Sequence, residues 1–233
     1  MTNRTIIPVP KIEDDGYDWY AKHERILQLQ RENQFELVLV GDSIMHNWSG
    51  DGPGKRDIGI ENWRKNLAKY KVLNMGFGYD RTQNVLWRLD HGELHGQNPK
   101  LIVLNIGTNQ FSVSPNYDGD APEAAAEGII AVLDKIRSIC PETKVILMGL
   151  FPREPERSFF EPRITAVNRI LKDAASKRPN VVFLDITERF LNPDGSQNKK
   201  LYADLGCHPN NDGYQVWAEA LQPFFREAGL TSN

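Results

Sequence analysis

Residues 35–43 read Phe-Glu-Leu-Val-Leu-Val-Gly-Asp-Ser, and the fold turns on them. Residues 36–40 form a short apolar run of the kind that makes a strand covered on both faces, and it stops at Gly41, just ahead of Asp42 and Ser43. Further apolar runs at 72–75, 101–106, 145–150 and 181–186 are separated by segments of helical periodicity. Strand and helix therefore alternate along the chain, which predicts an α/β fold: a mainly parallel five-stranded sheet with helices on both faces. In open sheets of this type chemistry gathers beyond the carboxyl ends of the strands, so the residues that follow each run carry the question of function.

A length of 233 residues buries one sizeable core without requiring a second domain. The chain divides into a lead-in segment with a helix, residues 1–33, and a single domain over 34–233. At 40% hydrophobic and 25% charged residues the composition is that of an ordinary globular protein. A net charge of −3 with no basic run disfavours a nucleic-acid partner. Two cysteines, Cys140 and Cys207, are too few for a disulfide scaffold and read as free thiols. The first residues lack an apolar signal core, and no stretch approaches the ~18 apolar residues of a membrane span. As written, the chain is expected in the cytoplasm, or in a secreted or periplasmic setting if a signal has been removed. Its oligomeric state is not legible.

Helical character is expected over 17–30, with Trp19, Ile26 and Leu27 as packing residues, and over 61–70. Apolar residues at Ala125, Ile129, Val132, Leu133 and Ile136 share one helix face, with Pro141 just past its end. Ile164, Val167 and Leu171 mark another helix, and Val216, Trp217, Leu221 and Phe224 a last one. The glycine-rich segment 47–59 reads as a surface loop beside Ser43, and the proline-rich stretch 151–163 as a second loop. Gly76 and Gly78 open a helix, but the third glycine of a dinucleotide fingerprint is absent.

Ser43 follows a strand, where a hydroxyl is presented outward, but a serine is a weak nucleophile unless a base takes its proton. Among five histidines, His23 lies in the leading helix, His91 and His95 flank a helix end, and His46 is too near Ser43 along the chain to fold back. His208 stands in an irregular Pro- and Asn-rich loop just before the last helix, where a catalytic base is expected. Asn109, in Gly107-Thr108-Asn109 after the third strand, is either a turn residue or an amide donor for a developing oxyanion. No Cys or His pair has metal-ligand spacing, so neither metal nor cofactor is expected.

Gly41-Asp42-Ser43-Ile44, Gly107-Thr108-Asn109 and a histidine before Pro209 occur in the order found in the SGNH, or GDSL-like, hydrolases, which the chain resembles. It is similar in particular to the branch containing the platelet-activating-factor acetylhydrolase catalytic subunits, through NMGFGYDRTQNVLWRLDHGELHG (74–96) and MGLFPRE (148–154). There is no G-x-S-x-G elbow. The resemblance implies a three-layer, flavodoxin-like α/β sandwich and metal-free ester hydrolysis. It further implies Ser43 as nucleophile and backbone oxyanion donor, Asn109 as a second donor and His208 as base. Two positions depart from the family pattern. Tyr79 stands where the family has the glycine whose N–H is the third donor. The acid three residues before the histidine is replaced by Leu205, with Asp204 one residue further back. Either an extra loop residue lets Asp204 reach His208 and complete a triad, or the pair works as a dyad; the freedom that Gly206 gives the intervening turn favours Asp204 as the catalytic acid.

The function expected from these residues is removal of a short acyl group, acetyl above others, from an O-acetylated carbohydrate. An acetylated phospholipid is the alternative substrate, and a non-catalytic binding module on the same scaffold the alternative from another class. Asp42, Gly78, Trp48 and Phe111, with Phe77, are expected to line the substrate site.

Overall fold

The computed structural model describes residues 3–14, 16–50, 52 and 58–232. Five parallel strands, β1 (Leu37–Gly41), β2 (Val72–Gly76), β3 (Leu101–Asn105), β4 (Lys144–Met148) and β5 (Val181–Leu184), form one sheet in the order β2-β1-β3-β4-β5. Each lies within two residues of its apolar run. Strand order reverses between β1 and β3, which are hydrogen-bonded neighbours from Leu37 opposite Leu101 to Gly41 opposite Asn105. Ser43 and Asn109 leave the sheet on either side of that reversal, where a crevice opens in folds of this kind.

Period-two alternation assigns the two faces of the sheet. Val38, Val40, Ile102 and Leu104 enter one core with residues of helices α1 (Trp19–Glu32), α4 (Thr82–Asp90), α5 (Pro122–Ile139) and α6 (Arg157–Ser176). Leu37, Leu39, Leu101 and Val103 enter the other with α2 (Ser43–His46) and α7 (Asn211–Glu227), and α3 (Ile60–Asn66) packs against α7. The result is the three-layer α/β sandwich expected from the sequence. The lead-in helix α1 is part of the first core, through Trp19 and Ile26.

Two expected loops are shorter than their sequence suggests. In the glycine-rich segment, Asn47–Ser49 form a 3-10 turn whose Asn47 and Trp48 are buried, and residues 51 and 53–57 lie outside the described residues. The proline-rich stretch 151–163 becomes helical from Arg157, and Pro162 lies inside α6. A proline there removes the N–H that would bond the carbonyl of Ser158, a residue at the exposed start of the helix.

Candidate active site

β1 ends at Gly41, and Asp42 caps the single-turn helix α2 by accepting the Ile44 N–H through Oδ1 at 2.9 Å. Ser43 is thereby the first helical residue, with its N–H among the unpaired donors of a helix start. α2 lies directly on the end of β2, and Gly76 makes this approach feasible, because a Cβ there would meet the His46 nitrogen at 2.3 Å. Tyr214 on α7 donates to the Ile44 carbonyl at 2.6 Å and fastens the last helix to α2.

That fastening brings the loop preceding α7 over Ser43. Ser43 Oγ and His208 Nε2 are 2.8 Å apart, although 165 positions separate them in sequence. His208 Nδ1 hydrogen-bonds Asp204 Oδ2. The other oxygen, Asp204 Oδ1, accepts the backbone N–H groups of Gly206 (3.0 Å), Cys207 (2.8 Å) and His208 (3.1 Å). Partial burial opposes ionisation of this carboxyl, but its bonds to His208 and to those backbone donors outweigh burial and hold it well below the usual carboxylate range. The extra residue, Leu205, turns outward and is 81% exposed. Gly206 closes the turn at φ +110°, in a space where a Cβ would meet Gln197 Oε1 at 2.3 Å. Of the two arrangements left open by the sequence, the geometry is the one in which Asp204 reaches the imidazole.

The turn after β2 faces the same point. Its Gly78 N–H donates to His46 Nδ1 at 3.1 Å and its carbonyl accepts from the Tyr17 hydroxyl at 3.2 Å, so this residue is tied into the protein. Tyr79 comes next, at φ +62° and 52% exposed on the edge of the cavity. A left-handed backbone costs a non-glycine residue about 1 kcal/mol or more, which is why glycine suits the position and tyrosine is the exception. Asn109, on the 3-10 turn after β3, donates one amide hydrogen to the Asp80 carbonyl at 3.0 Å, which fixes the amide group at the cavity wall.

Beneath this turn lies a buried ionic cluster. Asp80 accepts from Trp19 Nε1 at 2.7 Å and Arg88 Nε at 2.9 Å; Arg88 Nη1 also bonds Glu93, which meets His23 Nδ1 at 2.9 Å. Burial pushes the Asp80 carboxyl up and Arg88 pulls it down. The lead-in helix therefore reaches the site through Trp19.

A cavity of about 470 Å³ opens over Ser43 and His208, with Asn47, Tyr79, Asn109 and Arg153 in its wall. Five residues expected at the substrate are not there. Trp48 is buried, stacked on Trp217 at 4.6 Å and Tyr214 at 5.1 Å, with its indole N–H on Asn62. Phe111 belongs to the first core, as does Phe77. Gly78 is committed as described, and Asp42 is fully buried as a helix cap, its carboxyl pushed up to about 6 by burial against the opposing pull of the Ile44 N–H. Arg153, Arg81 and Ser112 line the cavity without having been singled out in the sequence, and Cys207, named there only for its thiol, lines it too. Cys140 and Cys207 are both free thiols. No group of three His, Cys, Asp or Glu side chains among the described residues is arranged around a metal site, and no described helix is long and apolar enough to cross a membrane.

A parallel α/β sandwich carrying a Ser–His–Asp hydrogen-bonded chain beyond its strand ends defines a hydrolase of the SGNH type. Residues 39–216 match the GDSL-like Lipase/Acylhydrolase family, and the chain belongs to it. It is 31% identical over 218 residues, 92% of its length and 84% of the relative's, to platelet-activating factor acetylhydrolase IB subunit alpha1 of Rattus norvegicus. It is 34% identical over 191 residues, 81% of its length and 76% of the relative's, to the alpha2 subunit of Gallus gallus. Among solved structures, the lipase/acylhydrolase of Enterococcus faecalis superposes with a TM-score of 0.61 at 20% identity, covering 84% of this chain and 97% of that one.

Proposed function

We propose that the protein is a serine esterase that removes a short acyl group, acetyl above others, from a polar O-acylated substrate, with an O-acetylated carbohydrate as the favoured class. The observation that carries the reading is the 2.8 Å contact between Ser43 Oγ and His208 Nε2, with Asp204 behind the imidazole. Ser43 attacks the ester carbonyl as His208 takes its proton, and Asp204 stabilises the imidazolium. The N–H groups of Ser43 and Tyr79 and the second amide hydrogen of Asn109 receive the oxyanion. Collapse of this intermediate expels the alcohol, which takes the proton from His208. Water activated by the same imidazole then hydrolyses the acyl-enzyme and frees Ser43.

The polar wall supports a sugar-like substrate, since Asn47, Ser112, Ser114 and Arg153 offer hydrogen bonds and Tyr79 offers a ring face. A short acyl group fits the burial of Trp48, Phe77 and Phe111, which are packed in the cores and add no apolar lining to the cavity at Ser43 for a long chain. The second reading, a phospholipid-type acetyl ester, is favoured by Val113 in the cavity wall (74% exposed) and by the outward Leu205, and it agrees with the names of the acetylhydrolase relatives.

The test is hydrolysis of acetyl and octanoyl esters by the wild type and by Ser43→Ala. We expect a Ser43-dependent rate that is at least about tenfold higher for acetyl. Equal or faster cleavage of the octanoyl ester removes the short-acyl reading, and a rate unaffected by Ser43→Ala removes the serine esterase. Parallel assays on acetylated sugars and acetylated phospholipids rank the two substrate classes.

A further inference from the structure

The cavity wall contains two arginines in different electrostatic states. Arg81 is buried and neutralised: its Nη1 pairs with Glu13, while Nε and Nη2 donate to the carbonyls of Asn109 (3.0 Å) and Ser112 (3.2 Å). Arg153 has no such partner. Its Nη1 donates to the Thr108 carbonyl and to Ser112 Oγ, both at 3.0 Å, and its guanidinium lies 4.4 Å from the centre of the Phe160 ring. Those contacts hold the group in place on the Asn109 side of the cavity, where no carboxylate among the described residues forms a salt bridge with it; the buried Asp42 carboxyl feels its charge from beyond salt-bridge range. Nε and Nη2 likewise have no acceptor among the described residues.

A partly buried, fixed guanidinium with no salt-bridge partner and spare donors is built to receive an oxyanion, since the planar fork pairs with a carboxylate or phosphate through two parallel bonds. The other ionic groups near the cavity do not compete for that role: Glu13 is held by Arg81 and by Ser114 Oγ, and Asp204 is held by His208 and its own loop. We infer that Arg153 is a specificity-determining residue, and that the preferred ester carries an anionic carboxylate or phosphate group bound at Arg153 while its acyl carbon lies at Ser43. This inference rests on the esterase reading and narrows its substrate class to acidic esters.

Two matched pairs of probes test it and separate the sources of the anion: O-acetylglucuronate against O-acetylglucose, and acetylglycerol phosphate against acetylglycerol. We expect wild-type kcat/KM to favour the charged member of at least one pair by about tenfold, equivalent to ~1.4 kcal/mol. The pair that shows the preference names the source. Arg153→Gln should lower kcat/KM for the charged ester by about tenfold more than for its neutral partner, and Arg153→Lys should retain part of the preference. Equal wild-type kcat/KM within both pairs overturns the inference, as does an equal loss on charged and neutral esters in Arg153→Gln, which would make Arg153 a general structural or oxyanion-stabilising group. Should Arg153→Gln fail to fold, wild-type enzyme decides: the preference should shrink between about 50 and 500 mM NaCl, and an unchanged preference refutes a charge contact. Absence of any Ser43-dependent hydrolysis refutes the esterase reading and this inference together, whereas hydrolysis without charge preference refutes this inference alone.

Discussion

Replacing Asp204 by asparagine probes the arrangement at its least conventional point. The carboxylate does two things at once: Oδ1 gathers three backbone N–H groups, and Oδ2 accepts from His208 Nδ1. An asparagine that keeps its amide oxygen in the backbone cradle preserves the loop, but it then turns an NH₂ group toward Nδ1. The imidazole must answer by carrying its proton on Nε2, the nitrogen that faces Ser43 at 2.8 Å. A protonated Nε2 cannot take the serine proton, and the positive charge formed in the transition state loses its counter-ion. In another serine hydrolase the equivalent change lowers kcat by about 10⁴, or ~5.5 kcal/mol of barrier. We expect a kcat loss of at least about a hundredfold for Asp204→Asn on a chromogenic acetate ester, with a thermal midpoint close to wild type because the cradle survives. His208→Ala is the reference for complete loss of the base. If Asp204→Asn retains more than about a tenth of wild-type kcat while His208→Ala is inactive, the aspartate is a loop organiser only and His208 acts without it.

Two other outcomes follow from buried charge. Arg88→Met leaves Asp80 and Glu93 without their shared cation, and breaking a buried ion pair in this way costs about 3–5 kcal/mol, enough to lower the melting temperature by roughly 10 °C; a loss below about 1 kcal/mol would show that the cluster is not ionised. Asp42 has a folded pKa raised to about 6, so its contribution to stability is fully present below the unfolded value and lost as pH rises through 6. Asp42→Asn should therefore flatten the fall in stability between about pH 4 and 7, worth roughly 3 kcal/mol at most, in urea unfolding followed across that range. Parallel curves for the two proteins would refute the assignment.

Much of the architecture was open to reading because β1 and β3 are apolar on both faces and the long helices α5, α6 and α7 keep their periodicity. Ser43, Asn109 and His208 were legible for a related reason: each follows or precedes a regular element at a polar break. Asp204 was legible as the favoured of two arrangements, because Gly206 frees the turn before His208, whereas the outward turn of Leu205 that completes its reach is not written in the spacing. Trp48 illustrates the opposite failure. Its nearness to Ser43 in sequence suggested a substrate wall, but the rings that claim it, Tyr214 and Trp217, belong to the last helix. Arg153 was not singled out, lying within the stretch 151–163 that was read only as a proline-rich loop. Its significance comes from the lack of a carboxylate partner, a tertiary property that no local pattern contains.

The stack of Trp48 on Trp217 has an optical consequence. Two indoles 4.6 Å apart and inclined by 25° couple their electronic transitions, and the coupled pair joins the segment that follows the nucleophile to the helix that follows the base. Circular dichroism from that pair thus registers whether Ser43 and His208 are still held in alignment, which makes the protein its own gauge of active-site assembly, readable without substrate or label.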